Sequence, residues 1–258
     1  MEECSIDQAH AAFREGTLST TALVRACLAR IAALDRQGPS LHALLTVHPR
    51  ALEEAARLDA AFRNGPVGPL HGIPVILKDN FDTHDLPTTG GSVAMRASQP
   101  RRDAFVVQRL REAGALVLAK ANLQEFARGG VSISSLGGQV RNPYDLTRSA
   151  GGSSGGTGAA IAANFALLGT GSDTGQSIRS PSSANGLVGL RATRGLISRG
   201  GVMPFSVTQD EAGPITRSVE DTARMLDVMA GYDPADAITA FGAGHIPATY
   251  TASLDRNG

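Results

Sequence analysis

Between residues 71 and 120 the chain changes period twice, and this stretch limits the fold more than any other. HGIPVILKDNFD holds a short apolar run, Ile73 to Leu77, with the length and branching of a buried strand, and it ends in Lys78 and Asp79. DAFVVQRLREAG follows as a helix closed by Gly114, and ALVLAK comes at once as a second strand. Strand, helix and strand in that order predict an α/β sheet.

The flanking segments fit such a sheet. Ser19 or Thr20 caps a helix through TALVRACLARIAALD, with Leu23, Cys27, Ile31 and Leu34 on one face. Pro49 opens a second helix, RALEEAARLDAAFRN, which Gly65 ends. Further on, TGAAIAANFALL reads as a helix whose small residues permit close packing. LLGTGSD reads as a strand and LVGL as an apolar run. Ser218 caps SVEDTARMLDVMAG, with Asp221 near its start and Gly231 at its end. Residues 233–258 show little periodicity, and no repeat or linker is visible.

Composition narrows the function. The formal net charge is zero, which gives no reason to expect nucleic acid or an anionic membrane as partner. The start, MEECSIDQAH, shows no signal peptide, and no run of about 18 apolar residues suggests a membrane span. Cys4 and Cys27 do not make a disulfide framework, so a cytoplasmic location is expected. No two of His10, His42, His48, His71, His84 and His245 stand at metal-ligand spacing, so no zinc or iron site is expected.

Residues 147–158, TRSAGGSSGGTG, place two adjacent serines between pairs of glycines. Glycine loses more backbone freedom on folding than any other residue, so such a stretch needs a local reason. A phosphate cradle is one reading, but the Gly-Lys-Ser/Thr ending of a P-loop and the GxGxxG spacing are both missing. A structural loop with helix-capping serines is another, and fits the stretch taken alone. The surroundings favour a third reading. A second loop, GSDTGQSIRSPSS, lies just downstream, and Lys78 ends an apolar strand upstream.

Taken together, GIPVILKDN around Lys78, AGGSSGG around Ser153 and GSDTGQSIRSP around Ser177 resemble the amidase signature family of serine hydrolases. ANLQEFA, RNPYDLTRSAGGSSGG, VGLRATRGLISRGGVMP and AGPITRSVEDTA extend the likeness from about residue 5 to about residue 233. The resemblance implies a mixed central β-sheet flanked by helices and no metal or organic cofactor. It implies a Ser–Ser–Lys triad, with the nucleophile on Ser177, the bridging serine on Ser153 and the base on Lys78. It also implies a cis peptide bond between Gly152 and Ser153. The oxyanion hole falls on the backbone N–H groups of Thr174, Gly175, Gln176 and Ser177. Asp173 and Arg179 pair to brace that loop, and Ser154 hydrogen-bonds the lysine or steadies its own loop. Arg191 and Arg194 read as structural or solvent-facing.

The chemistry is coherent. A serine hydroxyl is a poor nucleophile until a base takes its proton. No histidine lies in the signature loops, and a lysine can serve if burial keeps it neutral. The family usually carries Gly-Gly before the nucleophile, whereas here it is Gly175-Gln176. Gln176 can donate the same N–H if its backbone conformation accepts a Cβ, so activity with altered specificity is expected.

Members of the family are usually much longer. The chain is therefore read as one incomplete amidase-signature domain that lacks its C-terminal portion. It comprises an N-terminal helical part (1–65), a signature core with the triad (66–232) and an irregular tail (233–258). Uncovered apolar sheet surface is then expected, with a homodimer or a partner supplying the missing half. The expected activity is hydrolysis of a small-molecule carboxylic amide through an acyl-enzyme on Ser177. A catalytically silent binding fragment and an amidotransferase A-type subunit stand as the alternatives.

Overall fold

Helix α1 (Ile6–Glu15) starts at a capping box, in which Ser5 Oγ accepts the Gln8 N–H and Ser5 N–H donates to the Gln8 side chain. Helix α2 (Thr20–Leu34) follows, with Ser19 as its cap. Leu23, Cys27 and Ile31 are buried along one face, and Leu34 packs partly against the same core. Strand β1 (Leu44–Val47) and helix α3 (Ala51–Phe62) come next. Pro49 sits just outside α3 rather than within it, and Arg50 takes the cap position. The computed structural model describes residues 3–63 and 65–254.

The stretch from Ile73 to Lys120 folds as its periods predict. Strand β2 (Pro74–Lys78), helix α4 (Phe105–Glu112) and strand β3 (Leu116–Ala121) form a parallel β–α–β unit. A short hairpin, β4 (Ile133–Ser134) and β5 (Gly138–Gln139), leads to helix α5 (Gly155–Ala162). Strand β6 (Leu168–Asp173), helix α6 (Arg179–Ala184), strand β7 (Val188–Gly189) and strand β8 (Glu211–Thr216) follow. Helix α7 (Val219–Met229) closes the main fold, with the Ser218 hydroxyl accepting the Asp221 N–H as its cap.

The main sheet has six strands in the order β1-β3-β2-β6-β8-β7. β3, β2 and β6 run parallel, while β1, β8 and their outer pairings are antiparallel, so the sheet is mixed. Helix α5 lies against β1, β2, β3, β6 and β8, and α4 and α7 pack on each other and on β3 and β8. Close approach of α5 depends on its glycines. A Cβ on Gly156 would overlap Asn122 O and stand 2.6 Å from Ala43 O. Every residue of β2, β3, β6 and β8 is buried. The expected uncovered sheet is therefore not what the fold shows. The partly exposed strand residues of this sheet belong to its two edges, β1 and β7. An apolar cleft of about 290 Å³ lies beside α2, between Leu23, Cys27, Ala166 and Leu167. Among the described residues no helix is long and apolar enough to cross a membrane, and Cys4 and Cys27 are free thiols.

Candidate active site

The site forms where three segments meet at the ends of β2 and β6. The parallel register pairs Ile76 with Gly169, so Lys78 reaches the level of Gly171 and Ser172 at the far end of β6. There Lys78 is 0% exposed. Its Nζ lies 2.7 Å from Ser153 Oγ, 2.8 Å from Ser172 Oγ and 3.2 Å from Ser172 O. Only the last of these partners is an obligate acceptor, since each hydroxyl can also donate. The set therefore suits a neutral amine, with two N–H donors and one lone pair. Burial pushes the Lys78 ammonium down to about 7, against the pull of Asp173 and Asp210.

The second segment is the Gly-Ser stretch. The Gly152–Ser153 peptide bond is cis, as the resemblance implies. Gly151 adopts φ 72°, a left-handed conformation that favours glycine. A Cβ on Gly152 would meet Gly130 C at 2.7 Å and Val131 N at 2.9 Å, so residues 130–131 press directly on the turn. Ser153 and Ser154 are both fully buried. Ser154 does not bond the lysine. Its hydroxyl donates to Ser172 O (3.3 Å), and its N–H donates to Ser177 O (3.2 Å), tying the two loops together.

The third segment runs from Asp173 to Arg179. Asp173 Oδ2 accepts the Ile178 N–H (3.0 Å) and Arg179 Nε (3.1 Å), while Arg191 Nη1 reaches Oδ1 (3.1 Å). Burial pushes the Asp173 carboxyl up, but the Arg179 guanidinium and the Ile178 and Arg179 N–H groups outweigh it and hold the group below the usual carboxylate range. Arg191 also bonds Thr174 O and Gln209 O, so it braces the loop alongside Arg179. Arg194 instead donates to Val207 O and Thr208 O. Among the described residues, the N–H groups of Thr174, Gly175, Gln176 and Ser177 donate to no protein acceptor. Gln176 keeps a negative φ, so its Cβ is accommodated. Its Nε2 lies 2.5 Å from where a Cβ on Gly130 would stand.

The structure thus gathers Lys78, Ser153, Ser154, Asp173 and Arg179 with Ser177. Ser177 is 7% exposed, and among the described residues no hydrogen bond joins its hydroxyl to that of Ser153. The sequence reading did not single out Ser172 or Asn80, whose Nδ2 donates to Ser172 Oγ (3.0 Å). It also passed over Lys120, fully buried and paired with Asp79 at 3.2 Å. A signal for Lys120 was present, because the chain holds only two lysines, both at the ends of apolar runs, VILK and VLAK. His84, Asp85 and Asp103 could offer three ligand atoms to a cation, but Arg111 bridges the two carboxylates at 2.7 and 3.0 Å.

A family model described as Amidase matches residues 22–249, and the chain belongs to that family. Its fold is similar to about half of the native peptide amidase from Stenotrophomonas maltophilia, with a TM-score of 0.96 and 46% identity over 98% of this chain and 53% of that one. An amidase family protein from Bacillus anthracis gives a TM-score of 0.95 at 35% identity, covering 98% of this chain and 52% of that one. The glutamyl-tRNA(Gln) amidotransferase A subunit of Halorhodospira halophila is 42% identical over 100% of this chain and 52% of its own length. The chain spans about half the length of the curated relatives it matches.

Proposed function

We propose that the chain carries the acylating centre of an amidase, with Lys78, Ser153 and Ser177 as its triad. The observation that carries the reading is the Lys78–Ser153 contact, a buried amine 2.7 Å from a buried hydroxyl. In the first half-reaction Ser177 Oγ bonds to the amide carbon. Its proton passes to Ser153 Oγ while the Ser153 proton passes to Lys78 Nζ. The oxyanion is held by N–H groups of residues 174–177, each donor contributing about 3 kcal/mol. The C–N bond then breaks, and the leaving nitrogen takes the proton back. In the second half-reaction water attacks the ester and regenerates Ser177. The relay requires the Ser177 hydroxyl to turn onto Ser153, a contact of the kind that often tightens only when substrate binds. Asp173, Arg179 and Arg191 hold the loop, and Ser154 joins it to the Ser153 turn. The chain needs no cofactor in this scheme. Further polypeptide, continuous with this chain or a partner, encloses the substrate.

Intact-mass labelling with a fluorophosphonate tests the reading. One adduct is expected, and peptide mapping should put it on Ser177. No adduct on folded protein would instead support a silent binding fragment. The likeness to a peptide amidase makes a peptide carboxamide the first substrate to try. The curated relatives favour a second reading, an amidotransferase A-type subunit, which predicts turnover of glutamine in preference to peptide carboxamides.

Gln176 bears on selectivity. Its side chain lies over Gly130 beside the nucleophile loop. Gln176→Gly should keep Ser177 reactive and raise kcat/KM for a bulky acyl amide about tenfold over a small one, roughly the value of a methylene or two of pocket space. Competition between two amides measures it, and an unchanged ratio removes Gln176 from the pocket.

A further inference from the structure

The side chain of Asn80 is buried, 2% exposed, two residues after Lys78. Its Nδ2 donates to Ser172 Oγ, while its Oδ1 is buried with no hydrogen-bond partner among the described residues. A buried amide with one end unpaired is destabilising. An apolar side chain of similar size would avoid that penalty, so the advantage of an amide here lies at its bonded end, on Ser172. From there the hydrogen bonds continue without a gap: Asn80 to Ser172 at 3.0 Å, Ser172 to Lys78 at 2.8 Å, Lys78 to Ser153 at 2.7 Å.

We propose that Asn80 is a positioning residue for the Lys78 base and acts through Ser172. This rests on the amidase reading above and deepens it. A serine side chain has three staggered rotamers, and its hydroxyl can donate as well as accept. The Asn80 N–H occupies one lone pair of Ser172 Oγ and holds that oxygen on the lysine side. Fixed there, Ser172 Oγ accepts one Lys78 N–H and Ser172 O accepts the other. The amine lone pair is then left to face Ser153. Without Asn80, Ser172 is free to rotate away, or to donate its own proton to the Lys78 lone pair in competition with Ser153. The charged groups facing Lys78 are Asp173 at the end of β6 and Asp210 ahead of β8. On the neighbouring strand, Lys120 is paired with Asp79.

The small lysine count makes the test direct. Protein labelled with [13C]lysine gives signals from Lys78 and Lys120 alone, and the pH titration of Lys78 reports on the base without turnover. The fluorophosphonate rate reports on acylation. Asn80→Ala and Ser172→Ala should each slow labelling at least tenfold. The double variant should be no slower than Ser172→Ala, because the two act in series. Asn80→Asp keeps the shape and adds a negative charge, so it should move the Lys78 midpoint up by about one pH unit or more. The labelling profile should move the same way, since the neutral amine is the reactive form. A retained Lys120 signal reports an intact fold. Additive losses in the double variant, or an Asn80→Asp protein whose Lys78 titrates as in wild type, overturn the proposal. If wild type takes no adduct, the amidase reading fails, and the Lys78 titration still decides whether Asn80 governs the lysine.

Discussion

Replacing Lys78 by methionine is expected to slow acylation of Ser177 about a thousandfold, within the range of a lost general base, while leaving the fold at least as stable. Methionine is close to lysine in length and fills the same buried space. It cannot accept the Ser153 proton. The stability expectation follows from linkage. The Lys78 ammonium titrates near 7 in the folded chain, against an ordinary value of 10.5. Between those limits the unfolded chain binds a proton that the folded one does not, so this group's contribution to stability rises with pH across that window. Below about 7 both states are charged, and the folded state carries the full desolvation penalty. The methionine variant lacks that slope. Thermal unfolding between pH 6 and 10 should therefore show the largest gain for Lys78→Met at the acid end. The wild-type labelling rate should rise with pH through a midpoint near 7 and then level off. A Lys78→Met protein labelled within tenfold of wild type would mean that another group takes the proton.

How much of this was legible in the sequence depended on where the information lay. Caps and periods were local, so α2, β2, α4, β3, β6 and α7 fall close to their expected places, whereas α5 begins at Gly155, ahead of the expected Thr157, and ends at Ala162, well short of Leu168. The capping box of α1, Ser5 with Gln8, was readable too, but it lies at the chain's start, outside the strongest apolar periods. Strand β8 was hidden for a physical reason. EAGPIT contains Gly213 and Pro214, and proline cannot donate to a ladder, so the run does not read as an interior strand. It holds its place because β6 pairs with it from Glu211 to Ile215 and Leu190 N–H donates to Pro214 O. A Cβ on Gly213 would overlap Leu190 O, so the glycine there is a packing requirement. Within the site, Lys78, Ser153 and Ser177 came from the resemblance of ordered motifs. Ser172 and Asn80 came only from the β2–β6 register, which no local pattern in either strand reveals.

The second large effect belongs to the other lysine. Asp79→Ala is expected to destabilise the protein by about 3–5 kcal/mol, the usual result of leaving a buried charge unpaired. In a chain of this size that lowers Tm by roughly 10 °C. Lys120 and Lys78 lie on adjacent strands, are equally buried and each bond two hydroxyls, those of Thr83 (3.3 Å) and Thr88 (2.8 Å) in the case of Lys120, yet their remaining partners differ. Lys120 Nζ is near Phe81 O (2.9 Å), Pro87 O (3.0 Å) and Asp79 Oδ1 (3.2 Å), three groups that can only accept. Three obligate acceptors call for three N–H donors, which is an ammonium. Burial pushes that ammonium down, and Asp79 opposes the shift. Asp79 also accepts the Thr89 N–H (3.0 Å) and the Thr89 hydroxyl, so the pair closes the loop that leaves Lys78. Removing the carboxylate strands the ammonium and the Thr89 donors together. Converting both partners to apolar residues, Asp79→Leu with Lys120→Met, removes the charge problem and should recover part of the loss. Thermal unfolding of the three proteins checks this, and a double variant no more stable than Asp79→Ala would show that the Thr89 bonds, not the charge, hold the loop. Fluorophosphonate labelling of Asp79→Ala below its Tm should also be slower, because the loop that moves begins at the residue next to Lys78. One strand thus gives its lysine a carboxylate and two carbonyls, which keep it charged, and its neighbour gives a lysine two hydroxyls and a single carbonyl, which allow it to be neutral.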